Sequence, residues 1–184
     1  FSGIVAYENK NNSEALKFFQ SSKILIKQHN PYLKKYIFSL VLEGKVKKAN
    51  NAIKLNSTEN NSKFFEAHLL LALDSLKKKN YKKSKDHLQK SYAFTDNDRI
   101  SLIIAEILKQ YLFVFSENRI PNEKKKFGNL SFINEVFQRC YLNDKNVKSY
   151  FKKLVNTPGE TDYSRYIFFY INYLIENNSY NEAK

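Results

Sequence analysis

Three histidines, one cysteine and 18 carboxylates are the side chains with which this chain could do chemistry. His68 and His87 fall in two amphipathic runs that meet at a polar elbow, so the two imidazoles can approach. A zinc site needs further ligands and partners that orient them, and packing or surface placement is the competing reading. His29 stands apart from both. The single cysteine, Cys140, excludes an internal disulfide and a thiolate-cluster metal site. It has no histidine nearby in sequence. A free cysteine packs as a small hydrophobe unless a base activates it. Glu66, Asp74 and Asp86 sit beside lysines on helical runs, where surface pairing accounts for them. The chain has neither a phosphate-cradling Gly-rich loop nor a nucleophile elbow. No enzyme activity, metal or cofactor is expected.

Charge points another way. The net charge of +13 invites a nucleic-acid or acidic-membrane partner. Yet the cations are lysines apart from Arg99, Arg119, Arg139 and Arg165. Arginine is the residue of choice for bidentate phosphate and base contacts. Lys, Asn, Ile, Phe and Tyr share A/T-rich codons, so genomic bias is the favoured reading of the charge, with a polyanion-binding surface as the alternative. The run Lys124 to Lys126 reads as a solvated loop, with phosphate or acidic lipid as the alternative. Phe18-Phe19, Phe64-Phe65 and Phe168-Phe169-Tyr170 could stack bases, but their helical spacing favours a core.

The elements that would position these residues are short helices. Gly and Pro are scarce, at 4 and 3 residues. From Phe65 to Thr95 an apolar run through Ala67, Leu70, Leu71 and Ala72 meets a second through Tyr81, Ser84, Leu88 and Ser91, across the elbow from Lys77 to Asn80. Neither run can bury its face alone. Small residues recur at Ala15, Ala49 and Ser84, 34 and 35 residues apart. Helices are expected at about 2–9, 14–27 (capped by Ser13), 31–43 (Pro31 in its first turn), 46–55, 99–116 (capped by Asp98), 131–142, 144–155 and 163–177 (capped by Asp162). Gly44 turns the chain, 56–62 is a loop and Thr157-Pro158-Gly159 a turn. The apolar run from Ile100 to Phe115 is too short for a membrane span and contains Glu106 and Lys109, so it is expected to be a buried central helix.

A helix–turn–helix period of about 34 residues is the tetratricopeptide signature. The chain resembles a tetratricopeptide repeat protein of bacterial type. Gly3, Tyr7, Ala15, Phe19 and Ser22 fit that family's pattern in a first unit, and Leu40, Gly44, Ala49 and Ile53 in a second. Ala72, Leu76, Tyr81, Ser84, Leu88 and Ser91 fit it in a third, and Leu174, Tyr180 and Ala183 in a last partial unit. Ile37, Asn56 and Ile171 depart from it.

The resemblance implies an all-α fold, a right-handed superhelix of antiparallel helix pairs. Residues 1–97 would hold about three units, the first incomplete. Residues 98–160 would be degenerate repeats with a basic loop at 117–129, and 161–184 the start of a further unit. Opening at Phe1 and stopping at Lys184, both inside a repeat, the chain is expected to be cut from a longer polypeptide. By resemblance, a concave groove is lined by Lys34, Phe38, Val41 and Leu42, then by Glu66, Leu69, Leu73, Leu76 and Lys77. From the last unit come Arg165, Phe168, Asn172, Ile175 and Glu176. Lys34 followed by Phe38, and Leu69 by Leu73, do not fit the family's clamp for a free C-terminal carboxylate. The expected function is a non-enzymatic interaction scaffold that takes a peptide or helical segment of a protein partner. RNA or DNA binding, or an adaptor segment of a larger enzyme, are the alternatives. No membrane-spanning segment is expected, and bacterial cytoplasm, periplasm or envelope would suit equally.

Overall fold

A computed structural model describes residues 1–22, 24–25, 30–56, 63–96, 98–156 and 163–184, Asn30 by its backbone alone. His29, the loop at 57–62, the turn at 157–159 and the Asp162 cap lie outside the described residues. All regular structure among the described residues is helical. No described helix is long and apolar enough to cross a membrane. The chain forms two compact units, Phe1–Ala105 and Glu106–Lys184.

The first unit contains α1 (Ser2–Glu8), α2 (Asn12–Ser21), α3 (Asn30–Leu42), α4 (Val46–Leu55), α5 (Phe65–Lys77) and α6 (Tyr81–Ser91). A 3-10 turn (Tyr92–Phe94) leads to α7 (Arg99–Glu117), which carries the chain into the second unit. Each of α1 to α6 packs against its neighbours in sequence, and α1 also meets α3. Ala15, Ala49 and Ala72 are fully buried, and so is Ser84, whose hydroxyl donates to the Ala72 carbonyl oxygen at 2.7 Å. The small side chains let paired helices approach, and Leu16, Phe19, Leu33, Ile37, Leu40 and Ile53 fill the space between pairs. Gly3 belongs to the same packing: a Cβ there would stand 3.0 Å from the Phe19 ring.

The second unit holds α8 (Asn129–Tyr141), α9 (Val147–Val155), a 3-10 turn (Ser164–Tyr166), α10 (Ile167–Glu176) and α11 (Tyr180–Ala183). Its core is Val136, Val147, Phe151 and Leu154 under a set of rings. Phe137 meets Phe151 and Phe169 edge-on at 6.1 and 5.1 Å, and Phe151 stacks on Tyr170 at 5.5 Å. Phe137, Phe151 and Tyr170 pack here, whereas Phe168 and Phe169 of the same aromatic run are exposed, against the expectation of a core.

One turn recurs in five hairpins among the described residues. Lys10, Gly44, Lys79, Asn143 and Asn178 have φ between 51° and 69°. At each, the residue's N–H donates to the carbonyl three back, and the next N–H to the carbonyl five back from itself, as Gly44 to Val41 and Lys45 to Leu40. This is the Schellman motif, which satisfies the carbonyls a helix end leaves open. The five sites are spaced 34, 35, 64 and 35 residues apart.

Two expectations for α2 fail, and the helices expected from 144 and 163 start later, at Val147 and, after a 3-10 turn, at Ile167. Asn11, not Ser13, caps α2, accepting from the Glu14 N–H at 3.3 Å, because the preceding turn fixes where the helix starts. That helix ends at Ser21, short of 27. Asp98 does cap α7, accepting from the Ile100 N–H at 2.9 Å and the Ser101 hydroxyl at 2.5 Å. From Ala105 to Ser116 only Lys109 is exposed on that helix, while Ile100 and Ile104 face solvent nearer its start.

Candidate functional site

The face suggested for partner binding starts on α3 and α5. On α5, Glu66, Leu69, Leu73, Leu76 and Lys77 recur at helical spacing, so they share one side of the helix. Leu73 is 43% exposed and Lys77 is exposed, whereas Leu69 and Leu76 are half-buried. On α3, Phe38 and Val41 are half-buried against the first core, and Leu42 is 60% exposed. The structure brings Lys34, Phe38 and Glu66 together. The Lys34 ammonium lies 3.0 Å from Glu66 and over the rings of Phe38 and Phe64, at 5.5 and 5.6 Å. Ammonium over ring, closed by a carboxylate, fixes a polar margin beside apolar surface. Asp98 lies within the field of Lys34. Ser101's hydroxyl and backbone do most to lower its carboxyl pKa, and Lys34 adds to this. Phe64 and Asp98 are neighbours of this margin that repeat positions alone do not indicate.

Arg165, Phe168 and Asn172 belong to the second unit. All three are exposed, Phe168 at 65%, and Arg165 lies 5.5 Å from the Tyr166 ring. Phe168 and the 46%-exposed Phe169 meet edge-on at 5.7 Å. Ile175 and Glu176 are exposed as well.

In the basic loop Lys125 and Lys126 are exposed, as a solvated loop would have them, but two of its lysines also reach acids. Lys124 pairs with Glu135 at 2.7 Å, and Lys125 with the buried Glu106 at 3.1 Å. Gln110 on α7 donates to the Lys125 carbonyl at 3.3 Å. These pairs border a cleft of about 710 Å³ between α7 and the loop. Arginine is similarly engaged: Arg139 forms ion pairs with Glu135 at 2.8 Å and Asp144 at 2.6 Å, over the Tyr150 ring. A guanidinium held on two carboxylates is not poised for phosphate.

Cys140 is half-buried, and burial followed by the charge of Glu176 pushes its thiol pKa up. That holds the sulfur as the poorly nucleophilic thiol. Asp74 is shared by Lys78 at 2.8 Å and Lys54 at 3.3 Å, the surface pairing its position suggests. His68 and His87 come to one cleft, and no set of three or more metal-type ligands gathers among the described residues.

No known family's sequence model matches the chain, and neither the curated proteins nor the solved structures yield a match.

Proposed function

We propose that the chain is a tetratricopeptide-like repeat segment acting as a non-enzymatic scaffold, taking an extended or helical peptide along the exposed face of its first helices. The recurrence of one turn at 34 and 35 residues, with small buried residues at fixed offsets, supports the repeat reading. One observation carries the binding reading: Leu73 stands 43% exposed on the same helix face as Glu66 and Lys77, beside the Lys34–Glu66 margin. A leucine left in water at the centre of a helix face, flanked by fixed charges, is what an apolar anchor on a partner would cover. Burial there contributes about 25 cal/mol per Å². The charged margin sets the register of the bound segment rather than its strength.

The test is selection of random peptides of about twelve residues, displayed on phage, against the whole chain, followed by fluorescence anisotropy. The winners should carry two or more apolar residues at spacings of two or three to four. Leu73→Asp should weaken them by about tenfold or more, since each 1.4 kcal/mol is a factor of ten, while the far-UV helical signal stays unchanged. A selection that enriches nothing, or winners that bind Leu73→Asp equally well, would overturn the assignment.

A further inference from the structure

A cleft of about 600 Å³ opens in the first unit where α4, α5, α6 and the 3-10 turn after α6 meet. Its chemistry is divided. Ile53, Leu71 and Phe94 supply an apolar wall, and Lys54, Lys63 and Lys90 line it with positive charge. Between them stand His68 and His87, the first stacked on Phe94 with ring centroids 5.6 Å apart and planes 17° from parallel.

Each imidazole has Nδ1 walled off from water with no hydrogen-bond partner among the described residues. Nδ1 is unpaired in either tautomer; with the proton on Nε2 the buried orphan is an acceptor rather than the rarer orphaned N–H, which favours that tautomer. Both rings then offer an N–H at the edge that is not walled off. Their surroundings keep them neutral. Burial lowers both pKa values first; His87 and Lys90 then act on His68, and Lys90, Lys54 and Lys83 on His87. Asp86 opposes this at His87, and Asp74 is held between Lys78 and Lys54. At His68 Lys90 adds positive charge, and at His87 Lys90, Lys54 and Lys83 stand against Asp86.

We propose that this cleft binds a small organic phosphate with a flat apolar body, its phosphate on His68, His87 and Lys90 and its body on the wall of Ile53, Leu71 and Phe94. The three terminal oxygens of a phosphate monoester match two imidazole N–H donors and one ammonium, and its double charge offsets a field that a carboxylate would only half meet. An anion placed there favours the imidazolium forms, so binding must raise both ring pKa values, and by linkage protons and ligand assist each other. This site is independent of the peptide-binding face.

Phenyl phosphate is the probe, with inorganic phosphate and benzoate for comparison, added to the whole chain while the histidine ring resonances are followed by NMR. The ring pKa is the readout, because a phosphate monoester itself titrates near about pH 6 and confuses a pH profile of affinity. Phenyl phosphate should move the His68 and His87 resonances saturably and raise both pKa values. It should bind about tenfold more tightly than either comparison anion, and Lys90→Gln should weaken it about tenfold. Lys47→Gln, at an exposed position of α4, should leave binding unchanged. The site is refuted if the wild-type ring resonances and pKa values do not move. It is refuted too if all three anions act alike, or if Lys90→Gln and Lys47→Gln weaken binding equally.

Discussion

Gln138 is fully buried in α8, and neither atom of its amide has a hydrogen-bond partner among the described residues. Ser84 shows the opposite case: equally buried, it gives its hydroxyl proton to the Ala72 carbonyl at 2.7 Å. A buried amide that has left water without replacement bonds costs about 1–3 kcal/mol, and an apolar side chain of similar shape does not carry that cost. Gln138→Met should therefore stabilise the chain by about 1–3 kcal/mol in urea denaturation. Destabilisation would mean that the amide is satisfied in solution. Such a residue cannot be found from sequence, because glutamine at a helix position reads as a surface residue. Parts of the candidate sites are easier to read. The hairpin register alone puts His68 near His87. The wall supplied by Phe94 and the charge of Lys90 depend on how α6 ends, which spacing does not specify. Lys124 and Lys125 find their acids 11 and 19 residues away, which spacing does not specify, while Lys125 and Lys126 stay exposed as the run suggests.

At the scale of the element, the repeated turn decides where each second helix begins. It requires a left-handed residue, and only Gly44 supplies one without cost. Lys10 and Lys79 adopt φ of 61° and 57° with a Cβ that crowds the next carbonyl, a strain of about 1–2 kcal/mol. A Cβ at Gly44 would meet nothing within 4 Å, so substitution there tests the backbone alone. Gly44→Ala should destabilise by about 1 kcal/mol, and Lys79→Gly should stabilise by up to about 1 kcal/mol, part of the relief being lost to the freer unfolded chain. Paired urea midpoints check the signs. If both variants lose stability, the left-handed turn at Lys79 does not persist in solution. The same contrast explains what sequence could reveal. Glycine announces the turn at 44, and small residues at 15, 49 and 84 announce close helix pairs, so the helical hairpins of the first unit are legible. The turn at 79 falls in the polar elbow from Lys77 to Asn80, whereas lysine at 10 announces nothing, and the turn hidden there shifts the cap of α2 from Ser13 to Asn11. In the second unit α9 starts at Val147, four residues after the left-handed Asn143, where α2, α4, α6 and α11 start two residues after theirs. That longer connection puts Lys148 where the other hairpins have Ala or Ser, which weakens the sequence pattern there.

At the scale of the whole molecule, charge is the dominant feature left over. Against 31 lysines and arginines stand 18 acids, and many of those acids are already paired: Glu8, Glu66, Asp74, Glu106, Glu135, Asp144 and Glu182 all hold cations. Most of these pairs are partly open to water, where a pair contributes about 0–1 kcal/mol and salt weakens it. The unmatched excess of +13 acts in the other direction, repelling itself most strongly when the chain is compact. Salt screens both effects. The repulsion is summed over many cations spaced beyond contact, so it is the first to fade as the Debye length shrinks from about 30 Å at 0.01 M to about 8 Å at 0.15 M. Lys124–Glu135 and the Arg139 network, with side chains 16–24% exposed, are shielded from that screening and should persist. Raising potassium chloride from about 0.01 to about 0.15 M should therefore increase the melting temperature by a few degrees, read by calorimetry. A fall in melting temperature over that range would mean that the exposed pairs, not the lysine excess, govern the electrostatics of the fold.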